Sequence, residues 1–193
     1  MDKNQVMLKE LLLKNRSYRR FYQAERVPAA MLREWVGLAC LCPSGRNAQP
    51  LKYRPVTSEE MCEKVFVALS WAGYLKDWNG PAEGERPAAY LVQLLDTRVA
   101  GDCACDDGIQ ALAILLGAVE EGFGGCIVKA FREEVLRREL SLPAWLVIRH
   151  VIALGRPKER VVLEAMRGDD CKYWRDADGT HHVPKRLPGD LIV

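Results

Sequence analysis

Two short clusters near the start of the chain have residue types and spacing suited to holding a ligand. Arg16-Ser17-Tyr18-Arg19-Arg20 places guanidiniums and a hydroxyl within a few residues. A guanidinium presents a rigid fork of donors that fits phosphate oxygens better than an ammonium does. The second cluster, Pro43-Ser44-Gly45-Arg46-Asn47-Ala48-Gln49-Pro50, is a loop of small and amide residues. Amide side chains both donate and accept hydrogen bonds, as the edge of a heterocycle requires. A ligand with a phosphate at one end and a hydrogen-bonding ring system at the other would use both. Each cluster also has a plainer reading, as a solvated basic turn and as a turn that Ser, Gly and Asn form for backbone reasons.

FMN is a ligand of that kind. Arg16-Ser17-x-Arg19-x-Phe21 and Pro43-Ser44-x-x-Asn47-x-Gln49-Pro50 are followed by Asp106-Asp107-Gly108-Ile109-Gln110 and Gly124-Gly125-Cys126. Ala153-Leu154-Gly155-Arg156-Pro157 and Pro184-Lys185-Arg186 come after them. In this order, the set resembles the nitroreductase family of flavin enzymes. The resemblance implies an α+β fold, a three-layer mixed sheet flanked by helices, in an intertwined homodimer with FMN at the subunit interface. It implies that Arg16, Ser17 and Arg19 hold the phosphate and ribityl end, with Lys185 and Arg186 returning to it. Pro43, Ser44, Gly45, Asn47 and Gln49 would run along the isoalloxazine, and Gly124 and Gly125 would let backbone approach the ring closely.

The implied activity is a flavoprotein oxidoreductase, with a ping-pong cycle passing electrons from NAD(P)H through FMN to a nitroaromatic, quinone or related acceptor. The cofactor carries the electrons, so no catalytic acid or base is assigned. Arg46, Tyr74 and Trp78 are candidate substrate-pocket residues. Many family members have a further arginine where this chain has Asn15, and Lys14 or Arg20 is the candidate replacement.

The 28 basic and 26 acidic residues nearly cancel, which argues against nucleic-acid or acidic-membrane binding, both of which need a positive field. The most apolar stretch, Ile109 to Val119, is too short to span a bilayer. The opening Asp2, Lys3, Asn4 and Gln5 read as the start of a helix rather than a signal peptide, so a cytoplasmic location is expected. Seven cysteines are an odd number and read as reduced thiols. Cys40/Cys42 and Cys103/Cys105 lack the spacing of a zinc or iron–sulfur site. A cysteine-based metal-binding protein without flavin is therefore the alternative of a different class; another redox chemistry on the same flavin fold is the nearer one.

The elements that must position these residues follow from periodicity. Val6 to Leu13 reads as a helix, and so does the run from Pro28 through Ala39, closed by Pro43 and Gly45. Leu51 to Thr57 reads as a strand, Glu59 to Ser70 as a helix, and Ala88 to Leu95 as a buried strand. Trp71 to Pro87 is irregular, with aromatics suited to a lid or wall. Asp106 or Asp107 would cap a helix that is apolar nearly all round, runs through the core and ends at Gly122. Gly124 to Val128, Arg132 to Leu140 and Trp145 to Leu154 read as strand, helix and strand. The whole chain, 1–193, reads as one domain. From Arg160 the periodicity fades, and 160–193 reads as a tail without a self-sufficient element that packs on the partner subunit.

Overall fold

The computed structural model describes residues 8–193. These form α1 (Leu8–Lys14), α2 (Ala29–Cys40), β1 (Leu51–Val56), α3 (Glu59–Phe66), β2 (Ala89–Asp96) and α4 (Asp106–Glu120). They continue with β3 (Gly124–Val128), α5 (Glu133–Glu139), β4 (Leu146–Gly155), β5 (Val161–Ala165), β6 (Trp174–Arg175) and β7 (His181–Lys185). Val6 and Met7, assigned to the first helix from sequence, lie outside the described residues.

β2 is the spine of the molecule. Its run Ala-Tyr-Leu-Val-Gln-Leu-Leu-Asp is buried at every position, as expected for a strand covered on both faces. It is central in an antiparallel sheet of order β1-β2-β4-β3. Alternate side chains of a strand point to opposite faces. Ala89 and Leu91 pack with Leu32 and Trp35 of α2 and Ile114 of α4, while Tyr90, Val92 and Leu94 pack with Cys62 and Val65 of α3 and Leu136 of α5. Helices thus cover both faces, giving the α+β three-layer arrangement. Each fully buried large apolar side chain contributes about 1.5–3 kcal/mol, so α2 and α4 are held chiefly by Leu32, Trp35 and Ile114.

Three expectations are corrected. α3 stops at Phe66, not Ser70, because tertiary pairing claims the next backbone groups: Leu69 bridges Phe131, Ser70 N–H donates to the Ala130 carbonyl, and Arg132 N–H donates to that of Ala68. α4 does not run wholly inside the core, since Ile109 and Leu112 are exposed, with Ala113 and Leu116 half-buried beside them. The stretch after Arg160 does form regular structure, a small sheet of order β5-β7-β6 that holds the chain's one parallel strand pair among the described residues.

Gly122 ends α4 with φ +79°, a conformation that favours glycine. Gly125 is required for a different reason, because a Cβ there would lie 2.3 Å from the Ala153 carbonyl oxygen of the neighbouring strand. Gly125→Ala should therefore destabilise the protein by about 1–3 kcal/mol, read as a lower midpoint in urea with an unchanged slope.

Candidate functional site

The first cluster lies where α1 gives way to an extended segment laid on the outer edge of the sheet. Ser17 bridges Gly125 of β3, and Tyr18 N–H donates to the Gly125 carbonyl at 3.0 Å. Arg16, Ser17, Arg19 and Lys185 line one cavity of about 220 Å³, together with Asn15, Tyr173 and His181. Arg16 Nη2 donates to the Leu12 carbonyl at 2.6 Å, while its Nε is buried without a partner among the described residues. Burial draws the Arg16 guanidinium below its ordinary value. Arg19 lies over the Tyr173 ring at 5.1 Å, with Nη1 3.4 Å from His181 Nε2. Burial first, then the charges of Arg19 and Arg175, pull His181 down to about 4, so its ring is neutral at neutral pH.

Two glutamates decide which cations stay free for a ligand. Glu159, whose side chain is fully buried, accepts from Arg19 N–H, from Arg20 N–H at 3.2 Å and from Arg175 Nη2 at 2.9 Å. Glu85 takes Arg20 through a two-point fork of 2.6 and 2.7 Å and Lys158 at 2.9 Å. Arg20 is therefore committed to Glu85 and does not replace the arginine missing at Asn15. Arg186 pairs with Asp169 at 3.1 Å and does not line the cavity.

The second cluster sits at the start of α4. Ser44 Oγ donates to Asp106 Oδ2 at 2.6 Å and accepts from Gln49 N–H at 2.9 Å; Gly45 N–H donates to Asp106 Oδ1 at 3.0 Å. Asp106, expected as a helix cap, instead ties this loop to α4, where Cys105 occupies the cap position. Arg46, Asn47 and Gln49 all have φ near +50°, a left-handed conformation uncommon outside glycine. Gln49 Nε2 donates to Asn47 Oδ1 at 3.1 Å, and both residues are exposed. Gly45, Arg46, Ala48 and Pro50 line a second cavity of about 500 Å³ with Val99 to Ala104 and Asp106. Pro43 is exposed and lines neither cavity.

The two clusters occupy opposite corners of the sheet. β3 and β1 are its two edges, which puts them about 14 Å apart at the usual strand spacing. Along the strands, Gly125 pairs through Leu154 to Ala89, whereas Leu51 pairs to Leu95, six residues and about 20 Å further along β2. One chain does not present both clusters to one ligand.

Gly124 and Gly125 line none of these cavities. A Cβ on Gly124 would meet the Tyr18 ring at 2.7 Å, so both glycines serve packing. The neighbouring Cys126 to Ala130 line a cavity of about 240 Å³ that shares Arg19 and Tyr173 with the arginine cavity. Tyr74 packs on Tyr173, ring centres 4.9 Å apart, and Trp78 lies under the Arg175 guanidinium at 4.2 Å. Both aromatics thus face the small sheet rather than the loop that carries Arg46. Glu159, Tyr173, Arg175 and His181 are site residues that sequence reasoning missed. The adjacent pair His181-His182 is the one local feature that could have pointed to them.

Among the described residues no three His, Cys, Asp or Glu side chains gather as metal ligands, and no helix is long and apolar enough to cross a membrane.

No known family's sequence profile matches the chain, and no curated protein is similar to it in sequence. Solved structures do resemble it. A nitroreductase family protein from Clostridium novyi NT aligns with TM-score 0.66 and 24% identity over 79% of this chain and 88% of that one. An FMN-dependent nitroreductase from Clostridium difficile R20291 aligns with TM-score 0.61 and 20% identity over 82% and 91%. An enone reductase of gut-bacterial fatty acid saturation metabolism aligns with TM-score 0.69 and 16% identity over 86% and 95%. The likeness shows the fold, which is that of the nitroreductases.

Arg20 first, with Lys158 helping, pulls the Glu85 carboxyl down to about 2. A carboxylate depressed in the folded state stabilises above its unfolded value, about 4.3, and that contribution is lost as pH falls towards 2. Glu85→Gln should flatten the pH dependence of urea stability across that window, with little change in its slope above pH 6.

Proposed function

We propose that this chain, built on the nitroreductase fold, is an FMN-dependent oxidoreductase of that family. Each FMN would be held between two copies, the arginine cavity of one facing the amide loop of the other. The observation that carries this reading is the diagonal placement of two complementary half-sites. The first half-site fits a phosphate: Arg16, Arg19 and Lys185 supply charge, Ser17 supplies a hydroxyl, and the buried Arg16 Nε has no partner among the described residues. At about 220 Å³ the cavity is smaller than the 300 Å³ or so at which sites for whole drug-sized ligands begin. It takes the phosphate end and leaves the ring to another surface.

An exposed apolar surface supports a second copy. Ile109 and Leu112 of α4 stand open, as do Leu38 of α2 and Leu41 just beyond it, on the helical layer that contains the amide loop's anchor. Surfaces of this kind mark interfaces.

When bound, FMN supplies the electron transfer from NAD(P)H to a nitroaromatic, quinone or related acceptor, as the flavin chemistry is the cofactor's own. Arg16, Ser17, Arg19 and Lys185 bind and orient its phosphate end. Asn47 and Gln49, now bonded to each other, offer donors and acceptors to a ring edge, while Pro43, Ser44 and Gly45 shape that loop. Tyr74 and Trp78 wall the adjoining space next to the small sheet. The FMN-dependent nitroreductase and the enone reductase among the structural neighbours agree with such chemistry.

The test is an absorption spectrum after FMN addition and desalting, followed by NADPH or NADH under nitrogen. Retained yellow flavin that bleaches with either nucleotide is the expected result, and failure to retain flavin would overturn the reading. Arg16→Ala with Arg19→Ala should loosen FMN by several kcal/mol, each charge-assisted bond contributing about 1.5–3.

Mixing probes the shared site. Neither the arginine double variant nor Asn47→Ala with Gln49→Ala should hold FMN alone. Unfolded together and refolded, they should recover flavin, because each mixed dimer contains one intact site. No recovery would exclude a site shared between copies.

A further inference from the structure

His182 belongs to no part of the site described so far. On β7, side chains alternate between two faces of the small sheet. His181, Val183 and Lys185 line the arginine cavity, whereas His182 and Pro184 line a separate cavity of about 460 Å³ on the other face. There His182 Nδ1 lies 2.8 Å from Glu164 Oε1 on β5, and its Nε2 lies 3.1 Å from Asp176 Oδ2 just after β6. The ring stacks on Trp174 of β6, 5.0 Å between centres and 4° from parallel. A carboxylate only accepts, so both ring nitrogens must donate for both bonds to exist, and only the imidazolium does that. One side chain on β7 thus fastens both other strands of the sheet.

Besides its backbone pairing and the Glu159–Arg175 pair, the sheet has little apolar packing to hold it. Leu163 and Trp174 are exposed, and β6 is two residues long. The same sheet supplies His181 and Lys185 to the arginine cavity.

We propose that His182 is a charged clip that holds the small sheet together and so governs how long a phosphate-bearing ligand stays on the opposite face. The ligand part rests on the FMN reading above; the clip itself does not. Glu164 first and then Asp176 hold the imidazole above its ordinary value, and His182 in turn holds Asp176 below its own. The other charged groups at this cavity are Arg167, Asp170 and Lys172, of mixed sign; His181, on the far face, is uncharged. A group raised on folding stabilises fully below its unfolded value, about 6.5 for histidine. That contribution is lost as pH rises through the higher folded value. Alkaline pH should therefore loosen the sheet.

The experiment follows two readouts from pH 6 to 9, in the wild type and in His182→Gln: release of FMN from the holoprotein, by recovery of flavin fluorescence, and amide hydrogen exchange across residues 161–185. At pH 6 the variant should release FMN about five- to tenfold faster, the size of two partly exposed ion pairs. Its amides in 161–185 should exchange correspondingly faster, and the two proteins should converge by pH 9. Glu164→Gln and Asp176→Asn leave β7 intact and should each give a smaller change in the same direction. Equal exchange and release at pH 6, or a His182 ring that NMR shows neutral at pH 6, would overturn the clip. Slower exchange in the wild type with equal FMN release would keep the clip and overturn its link to the ligand. A wild type that holds no FMN would overturn that link together with the functional reading, and the exchange comparison would then decide the clip.

Discussion

The buried carboxylate of Glu159 is the contact on which the site's arrangement depends. Arg16, Arg19, Arg20, Arg175 and Lys185 converge from two ends of the chain, a repulsive grouping unless countercharges divide it. Glu159 binds the backbone of Arg19 and Arg20 and the side chain of Arg175, joining the extended segment after α1 to the strand that closes the small sheet. Glu85 takes up Arg20. The sorting leaves Arg16, Arg19 and Lys185 around the cavity, so the two buried or half-buried acids define the positive site by subtraction. Removing one partner from such a buried pair leaves an uncompensated charge, generally a large cost.

A second constraint is topological. A four-stranded sheet with the arginine cluster and the amide loop at opposite corners sets a separation that no side-chain rearrangement closes. The chain's exposed apolar stripe on α4 and the loop tied to α4 by Asp106 then belong to one problem, since the layer that would cover the first also brings the second to a neighbour. The positive φ values at Arg46, Asn47 and Gln49 fit a loop shaped for a ligand, because strained backbone persists where surrounding structure fixes it. Here the Ser44–Asp106 and Gly45–Asp106 bonds do the fixing.

Much of the scaffold was legible in the residues because the signals were local. The apolar run of β2, the glycine after α4 and the Gly-Gly pair opening β3 each declare their element within a few residues. The arginine cluster was legible for the same reason, and four of its expected members share one cavity. The rest depended on distant partners. Ser44 is spent on Asp106, 62 residues away, and Arg20 on Glu85, 65 away; neither pairing leaves a trace in local spacing. α3 lost its last turn to a bridge with the segment around Phe131. The small sheet was missed because its strands are short and half-exposed, and charge and stacking hold it where no apolar period exists to be read.

That small sheet carries a consequence for how its sequence can change. Its adjacent histidines have identical chemistry but opposite surroundings, one among guanidiniums and the other between carboxylates. Deleting or inserting one residue early in β7 would exchange their faces, since a one-residue slip turns every side chain of a strand over. Each ring would take the charge of its new surroundings, but Lys185 would leave the arginine cavity for the other face. Charge rather than packing would penalise the slip, so the spacing between Asp176 and Lys185 is held by electrostatic register. Substitutions at the positions of this segment that hold neither the clip nor the cavity should be tolerated where its insertions and deletions are not.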